Sequence, residues 1–329
     1  MLHIHNGDST AGTLREFGFP GEHKAFQEVL LEGPTPSGLP PDEFLRIRAR
    51  FLAEAYELKP EKAEQDMFEQ QIWLRKFSEH EETILWFEHD LFCQAGLIYL
   101  LDWFSQRLSD QDKLSLICIG EFPGIDDFRG LGQLSGEQLA SLFDNRHEVS
   151  ESELSLASKA WSAYCSATPE DISRLIESDT SAMPFLERAL RLHLSRFPSK
   201  ANGLGRIENK ALELISKGAV AFKSLFPRFA SEEAVYGLGD AQFWSALRLL
   251  ENATVPLITK SGSDTDHGAF QSNKDMDASL ELTDVGRAVL DGKRDAIEIN
   301  GIDRWLGGVH LVVGQVWRWD EENGTITME

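Results

Sequence analysis

Four strand-like segments in the first 119 residues each stop on a polar turn: 2–6 on Asn6-Gly7-Asp8-Ser9, 25–31 on Glu32-Gly33-Pro34, 83–87 on Glu88-His89-Asp90, and 114–119 on Gly120-Glu121. Segments with a helical period separate them. Residues 10–17 form a short helix, Phe44, Ile47, Phe51 and Ala55 share one face of a second, and Pro60 opens a third that runs to about residue 77. Residues 91–104 are apolar almost all round, as in a buried crossover helix between parallel strands. Strands that are apolar along their length and alternate with helices predict an α/β fold, with a mostly parallel Rossmann-like sheet covered on both faces.

Helices dominate beyond the fourth strand. Ser135 with Gln138 and Ser150 with Glu153 have capping-box spacing, Thr168-Pro169-Glu170-Asp171 opens another helix, and 181–197 reads as a further one closed by Pro198. The glycine-rich stretch 200–205 marks a boundary. After it come short helices at Ile207, Ala211 and Ile215, at Phe222, Leu225, Phe226 and Phe229, and at Phe243, Leu247 and Leu250. A strand at 255–259, a polar loop to residue 277, a strand at 279–282 and a helix from Thr283 follow. This order predicts an α+β, winged-helix-like C-terminal domain. The expected division is 1–200, the α/β domain with a helical insertion and extension; 201–295, the winged-helix-like domain; and 296–329, a tail carrying NGIDRWLGG that packs back on the first domain. Residues 316–327 suit a hairpin about Asn323-Gly324.

Composition narrows the function classes. With 329 residues, 42% of them hydrophobic, the chain can bury one substantial core and a smaller one. No apolar run is long enough to cross a bilayer and the first residues lack signal-peptide character, so the chain reads as cytoplasmic. Cys93, Cys118 and Cys165 are unclustered and read as free thiols. The net charge of −22 opposes nucleic acid and anionic membranes as partners. Residues 203–295 carry 11 Lys/Arg against 14 Asp/Glu, and the presumed recognition helix 240–251 has one basic residue, Arg248. That domain is better suited to a protein partner, a second copy of the chain, or packing on its own first domain.

In open parallel sheets ligands bind outside the carboxyl ends of the strands, so the candidate site gathers what the strands end on. Asp8, His89 and Asp90 are the candidate acid/base groups, because flanking carboxylates fix an imidazole's tautomer and raise its pKa. Asp8 and Asp90 are also candidate ligands for Mg or Mn, hard cations that take oxygen donors and neutralise phosphate. Asn6, Gly7, Ser9, Glu32, Glu88, Glu121, Arg304 and His310 are candidate ligand-binding residues. Each has a plainer reading. Asp8 and Asp90 precede helices, where aspartate caps free N–H groups; Glu32 and Glu121 lie in turns; Arg304 and His310 could anchor an anion or only tie the tail down; and Glu88 and His89, being adjacent, face opposite sides. His3 and His5 share a strand face, which is a weak metal signal without a third ligand. Gly7-Asp8-Ser9 has neither dinucleotide-binding nor P-loop spacing, and there is no GxSxG elbow.

NGDS at 6–9, EGP at 32–34, RARFLAE at 48–54, WFEHDL at 86–91, ICIGEFPG at 117–124, GLGQLS at 130–135 and NGIDRWLGGVHL at 300–311 together resemble the bacterial "domain of unknown function eighteen-thirty-five" family over nearly the whole chain. That resemblance implies no established reaction. Members often carry an Asp and a His in the stretch matching Glu28 and Leu31, and Leu31 stands here in place of the His. Two functions remain expected: a hydrolase or transferase acting on a small phosphorylated or nucleotide-like ligand at the strand ends, or a non-enzymatic ligand-sensing regulator whose winged helix contacts a protein partner or DNA.

Overall fold

The computed structural model describes residues 1–218, 220–261, 276–277 and 279–329. It is a mixed α/β structure built on a five-stranded sheet of order β2-β1-β3-β4-β5, with β1 Leu2–His5, β2 Glu22–Ala25, β3 Thr83–Glu88, β4 Leu114–Ile119 and β5 His147–Glu148. The first four strands are parallel and β5 is antiparallel to β4. Strand alternation divides the core. Ile84 and Trp86 of β3 face a cluster with Leu14, Leu131 and Leu139, whereas Leu85 and Phe87 face the main cluster. The first face is covered by α1 (Asp8–Phe17) and α5 (Gly136–Leu142), the second by α4 (Leu91–Ser105) backed by α6 (Glu151–Tyr164). α4 buries residues on every side, including Leu97, Leu100, Leu101 and Phe104, each contributing roughly 1.5–3 kcal/mol of hydrophobic stabilisation.

Local chemistry moved several expected boundaries. The second strand is Glu22–Ala25, earlier than 25–31, because the carbonyls of Val29, Glu32 and Pro34 are taken by the Arg48 guanidinium at 2.8, 2.6 and 3.3 Å and so do not form a ladder. Arg48 comes from α2 (Pro41–Ala55), is fully buried, and is paired with buried Glu28 at 2.6 Å. α3 is Pro60–Leu74, with a separate 3-10 turn at Phe77–Glu79. α7 is Glu170–Ile176, and the helix expected over 181–197 is only Leu186–Leu194 (α8), since Pro184 supplies no N–H to a helical ladder.

After residue 205, α9 (Arg206–Ser216), β6 (Val220–Ala221), α10 (Phe222–Glu232), α11 (Asp240–Glu251), β7 (Ile258–Ser261), β8 (Ser279–Leu282) and α12 (Asp284–Leu290) follow one another, the three strands pairing antiparallel in the order β6-β8-β7. Most of the polar loop expected before residue 277 lies outside the described residues. α13 (Ala296–Asn300) leads to two hairpins, β9 Asp303–Leu306 with β10 Val309–Val312 and β11 Trp317–Asp320 with β12 Thr325–Met328. Residues 321–324 all lie in the second turn, so that loop is longer than an Asn-Gly pair. The tail packs on the first 200 residues: Gly307 O accepts from Thr35 N at 3.0 Å and Gly308 N donates to Tyr164 O at 2.8 Å. Among the described residues, no helix is long and apolar enough to cross a membrane.

Candidate functional site

α1 follows β1 toward β2 and α4 follows β3 toward β4, so the two crossovers leave adjacent strands in opposite directions at their carboxyl ends, the position at which open parallel sheets take ligands. Asn6 and Gly7 follow β1 there, and Glu88 and Asp90 close β3. Asp90 is buried and N-caps α4, its Oδ1 accepting from Cys93 N at 2.8 Å. Glu88 is half-buried, and its Oε1 accepts from Leu131 N at 2.7 Å. The two carboxyl groups hydrogen-bond one another, and Asn6 Nδ2 donates to Cys93 Sγ at 2.7 Å.

Burial governs the electrostatics. Glu88 is held well above the usual carboxylate range, by desolvation first and then by the charge of Asp90. Asp90 is also raised by desolvation, against the N–H of Cys93 and the proton it receives from Glu88, which oppose the rise. Two carboxyls in contact in a dry site cannot both ionise cheaply, so the pair retains a proton at pH values where free carboxyls have lost theirs. Burial followed by the same two charges pushes the Cys93 thiol up, which makes it a poor nucleophile.

Two glycines roof the pair. A Cβ on Gly130 would stand 2.1 Å from Glu88 Oε2, and one on Gly237 would stand 2.3 Å from Asp90 Oδ1. Each opens a Gly-Leu-Gly segment, 130–132 and 237–239, and these repeated tripeptides were the signal available in the sequence for a close approach.

The structure does not bring the expected acid/base trio together. His89 turns to the other side of the strand end, among Phe128, Phe185 and Gly120. Burial lowers its pKa, helped by the Arg188 guanidinium and opposed by the Ile119 carbonyl. Asp8 is exposed on the first turn of α1 and accepts from Gln27 Nε2. Ser9 is exposed near Gly132, and Gly7 forms an open N-cap at φ 120° with no described atom within 4 Å of a Cβ. Glu121 is exposed in its turn, and His310 stacks on Trp305 at 4.4 Å while bonding Asp303 at 2.7 Å.

Nor does the donor set suit Mg or Mn. Among the described residues the one group of three ligating side chains consists of Glu88, Asp90 and Cys93, with their atoms within 4.8 Å of one another, and Asp8 is not in it. A hard cation takes about six oxygens, whereas this set offers two carboxyl groups in contact with one another and a soft thiol. His3 and His23 are likewise committed at both ring nitrogens, and His5 at Nε2. Trp86 Nε1 donates to His3 Nδ1 at 3.1 Å, leaving His3 Nε2 to donate to Pro20 O at 3.2 Å. His23 Nε2 donates to Phe19 O at 3.1 Å, so its Nδ1 accepts from His5 Nε2 at 3.0 Å. All three rings are neutral Nε2–H tautomers in a stack beside Trp86.

Glu32 and Arg304 meet elsewhere, on the wall of a cavity of about 860 Å³ between the 31–34 turn, α9, α11 and the tail. Arg48 positions that turn, and Tyr56 donates its hydroxyl to Glu32 Oε2. Burial raises the Glu32 pKa, against the Tyr56 hydrogen bond and the nearby Arg196, Arg304 and Arg48. Arg304 Nη1 bonds Glu208 Oε1 at 2.5 Å.

The chain matches no known family model, and no curated protein matches it.

Proposed function

We propose that the protein is an enzyme of the hydrolase or transferase class, working by general acid–base chemistry on a small phosphorylated or nucleotide-like ligand at the carboxyl ends of β1 and β3. The observation that carries this reading is the Glu88–Asp90 pair: two carboxyl groups in contact where oppositely directed crossovers leave the sheet, retaining a proton near neutral pH. Glu88, the more exposed member, is the group that would give or take a proton from a ligand, and buried Asp90 is its positioning partner. The open N-terminus of α1 beside them, capped only by Gly7, presents backbone N–H groups and the positive end of a helix dipole to a phosphate, with Asn6 and Ser9 in reach to orient it. The parallel order β2-β1-β3-β4 supports a Rossmann-like reading of the sheet. The motif resemblance adds no reaction to it.

The test is turnover. Wild type and Glu88→Gln would be assayed for phosphate release or transfer across phosphomonoesters and nucleotides between pH 5 and 9. The expected result is turnover whose alkaline limb disappears in the variant; no turnover over the whole panel, or equal rates in the variant, overturns the reading.

A ligand-sensing regulator is the second reading. The order α9, β6, α10, α11, β7, β8 with strands arranged β6-β8-β7 supports a winged-helix-like domain. Two polar side chains of α11 reach the first 200 residues: Gln242 Nε2 donates to Tyr56 Oη at 3.1 Å, and Arg248 lies 3.9 Å from Glu57. That engagement and the acidic charge favour contact with its own chain or a protein partner over DNA. Ligand-induced stabilisation without turnover would select this reading.

A further inference from the structure

We propose that the cavity between the 31–34 turn, α9, α11 and the tail is a binding site for an uncharged, mainly apolar small molecule, held by surface contact and not by an ion pair. None of the strand-end residues Asn6, Glu88, Asp90 and Cys93 lines it, so the proposal does not rest on the acid–base reading.

The charges on the wall supply half of the argument, because they sum to zero and are nearly all engaged within the protein. Arg196, Arg248 and Arg304 bring three positive charges and Glu54, Glu208 and Asp303 three negative, while burial biases Glu32 toward its neutral acid. Arg304 is paired with Glu208 at 2.5 Å, Arg248 lies 3.9 Å from Glu57, and Asp303 bonds His310 at 2.7 Å. Arg196 donates to Leu31 O at 2.6 Å and to the Tyr164 hydroxyl. Glu54 is exposed to water. A charged ligand would have to leave water for a wall with no net charge to offer it, and that loss opposes its binding. An uncharged ligand suffers no such loss.

The apolar lining supplies the other half. Leu249 and Val313 line the cavity and are still 56% and 73% exposed, so two of the three most exposed large apolar side chains among the described residues stand at one opening. Single exposed apolar residues are ordinary, but apolar residues gathered around a cavity mark a place where something binds. Half-buried Phe51, Ile302 and Trp305 continue the same surface inward. Two of these walls are held in position: the Arg48 guanidinium lies 5.1 Å from the centre of the Phe51 ring, and Trp305 stacks on His310 at 4.4 Å with the ring planes 4° apart. Little ordering is left for a ligand to impose, which favours affinity. A volume of about 860 Å³ lies within the range of small-molecule sites. The site was hidden in the sequence because its walls come from segments as far apart as Phe51 and Val313.

The experiment titrates the full chain with three probes that share a naphthylamine ring system and differ in charge. N-phenyl-1-naphthylamine is uncharged, 1-anilinonaphthalene-8-sulfonate is its sulfonated analogue, and N-(1-naphthyl)ethylenediamine is a cation at neutral pH. Fluorescence and calorimetry give affinity and stoichiometry. The expected result is one uncharged probe bound per chain, with a negative heat-capacity change, and both charged probes weaker by about tenfold or more. Affinity for the uncharged probe should stay within about twofold between roughly 50 and 500 mM salt, since no ion pair is screened. Ala253→Phe fills the cavity from its wall and should lower that affinity about tenfold, and Leu249→Gln, which trims the apolar mouth, about threefold. If Ala253→Phe fails to fold, Leu249→Gln decides, because its position is exposed. No binding of the uncharged probe, equal or tighter binding of either charged probe, or wild-type affinity in both variants overturns the proposal. Sedimentation of the ligand-free chain tests another occupant: a dimer that excludes the probe assigns this face to a second copy and overturns the small-molecule site. Strand-end turnover should be the same in Leu249→Gln as in wild type, so the two readings stand or fall separately.

Discussion

Gly237 sits directly over Asp90: its backbone lies so close that a Cβ would come within 2.3 Å of Oδ1 and 2.9 Å of Phe92 Cβ, at a φ of 66° that L side chains rarely adopt. Gly237 follows a 3-10 turn at Ala234–Tyr236, so this contact presses the later part of the chain onto the buried end of β3. Gly237→Ala combines left-handed strain with a clash against a capped, immobile carboxylate. We expect a loss of about 2–4 kcal/mol, read as a lower urea midpoint at unchanged slope. Combining it with Asp90→Ala should cost less than the two single losses added, since the clash disappears while the strain stays. Strict additivity would show that the contact does not matter.

The Glu88–Asp90 pair makes stability depend on pH with a definite sign. Both groups are raised in the folded state, so above the ordinary carboxylate range, 4.5 for a free Glu, the folded protein binds more protons than the unfolded chain. Their contribution is complete below the unfolded pKa values and is lost as pH rises through the folded ones. Urea midpoints at pH 5, 7 and 9 should therefore fall on the alkaline side. Glu88→Gln keeps the shape and removes one titrating group, so the fall should be shallower, by about 1.4 kcal/mol for each pH unit across which the folded protein no longer holds the extra proton. Identical slopes would contradict a shared proton.

His3 and His5 act in the opposite direction. Burial, followed by the neighbouring His23, holds His3 down at about 4 and His5 at about 2, from an ordinary 6.5. The unfolded chain takes up protons below 6.5 that these rings refuse, so their contribution is present above that pH and is lost as pH falls toward the folded values. Ring proton resonances of His3 and His5 should stay unshifted from pH 7.5 to 5.5. His5→Phe should lessen the loss of stability between pH 7 and 5. A His5 that titrates near 6.5 would rule out the proposed tautomer chain.

The sequence made β3 and β4 legible because buried parallel strands are apolar along nearly their whole length, β1 because His3 and His5 alternate with Leu2 and Ile4, and it placed Asn6 and Asp90 at neighbouring strand ends. It did not show which of Glu88 and His89 turns toward Asp90. Alternation separates the two but does not say which crosses to which face, and the choice follows from Leu131 N, a donor on a distant loop. Two-residue β5 has too little sequence to carry a pattern. The segment 26–31 has strand composition, yet the carbonyls of Val29, Leu30 and Leu31 go to the side chains of Arg48, Tyr164 and Arg196, two of them charged groups that composition alone would put in solvent.

Arg48 yields the last prediction. Its guanidinium is fully buried, pairs with Glu28 through Nη2 and Nε, and donates to three carbonyls of the 29–34 loop, the loop that carries Glu32 to the cavity. Arg48→Met leaves the buried Glu28 carboxylate with only the Val29 N–H, at 2.9 Å, as a partner and frees the three carbonyls, a loss of about 3–5 kcal/mol. Arg48→Met with Glu28→Leu removes the orphaned charge and should recover a large part of that stability. It cannot recover the loop, because an apolar side chain offers no donors to Glu32 O and Pro34 O. Hydrogen exchange should therefore remain fast over 29–35 in the double variant even where the urea midpoint is restored. Protection of that segment equal to wild type would mean that packing alone, and not the guanidinium, holds the turn.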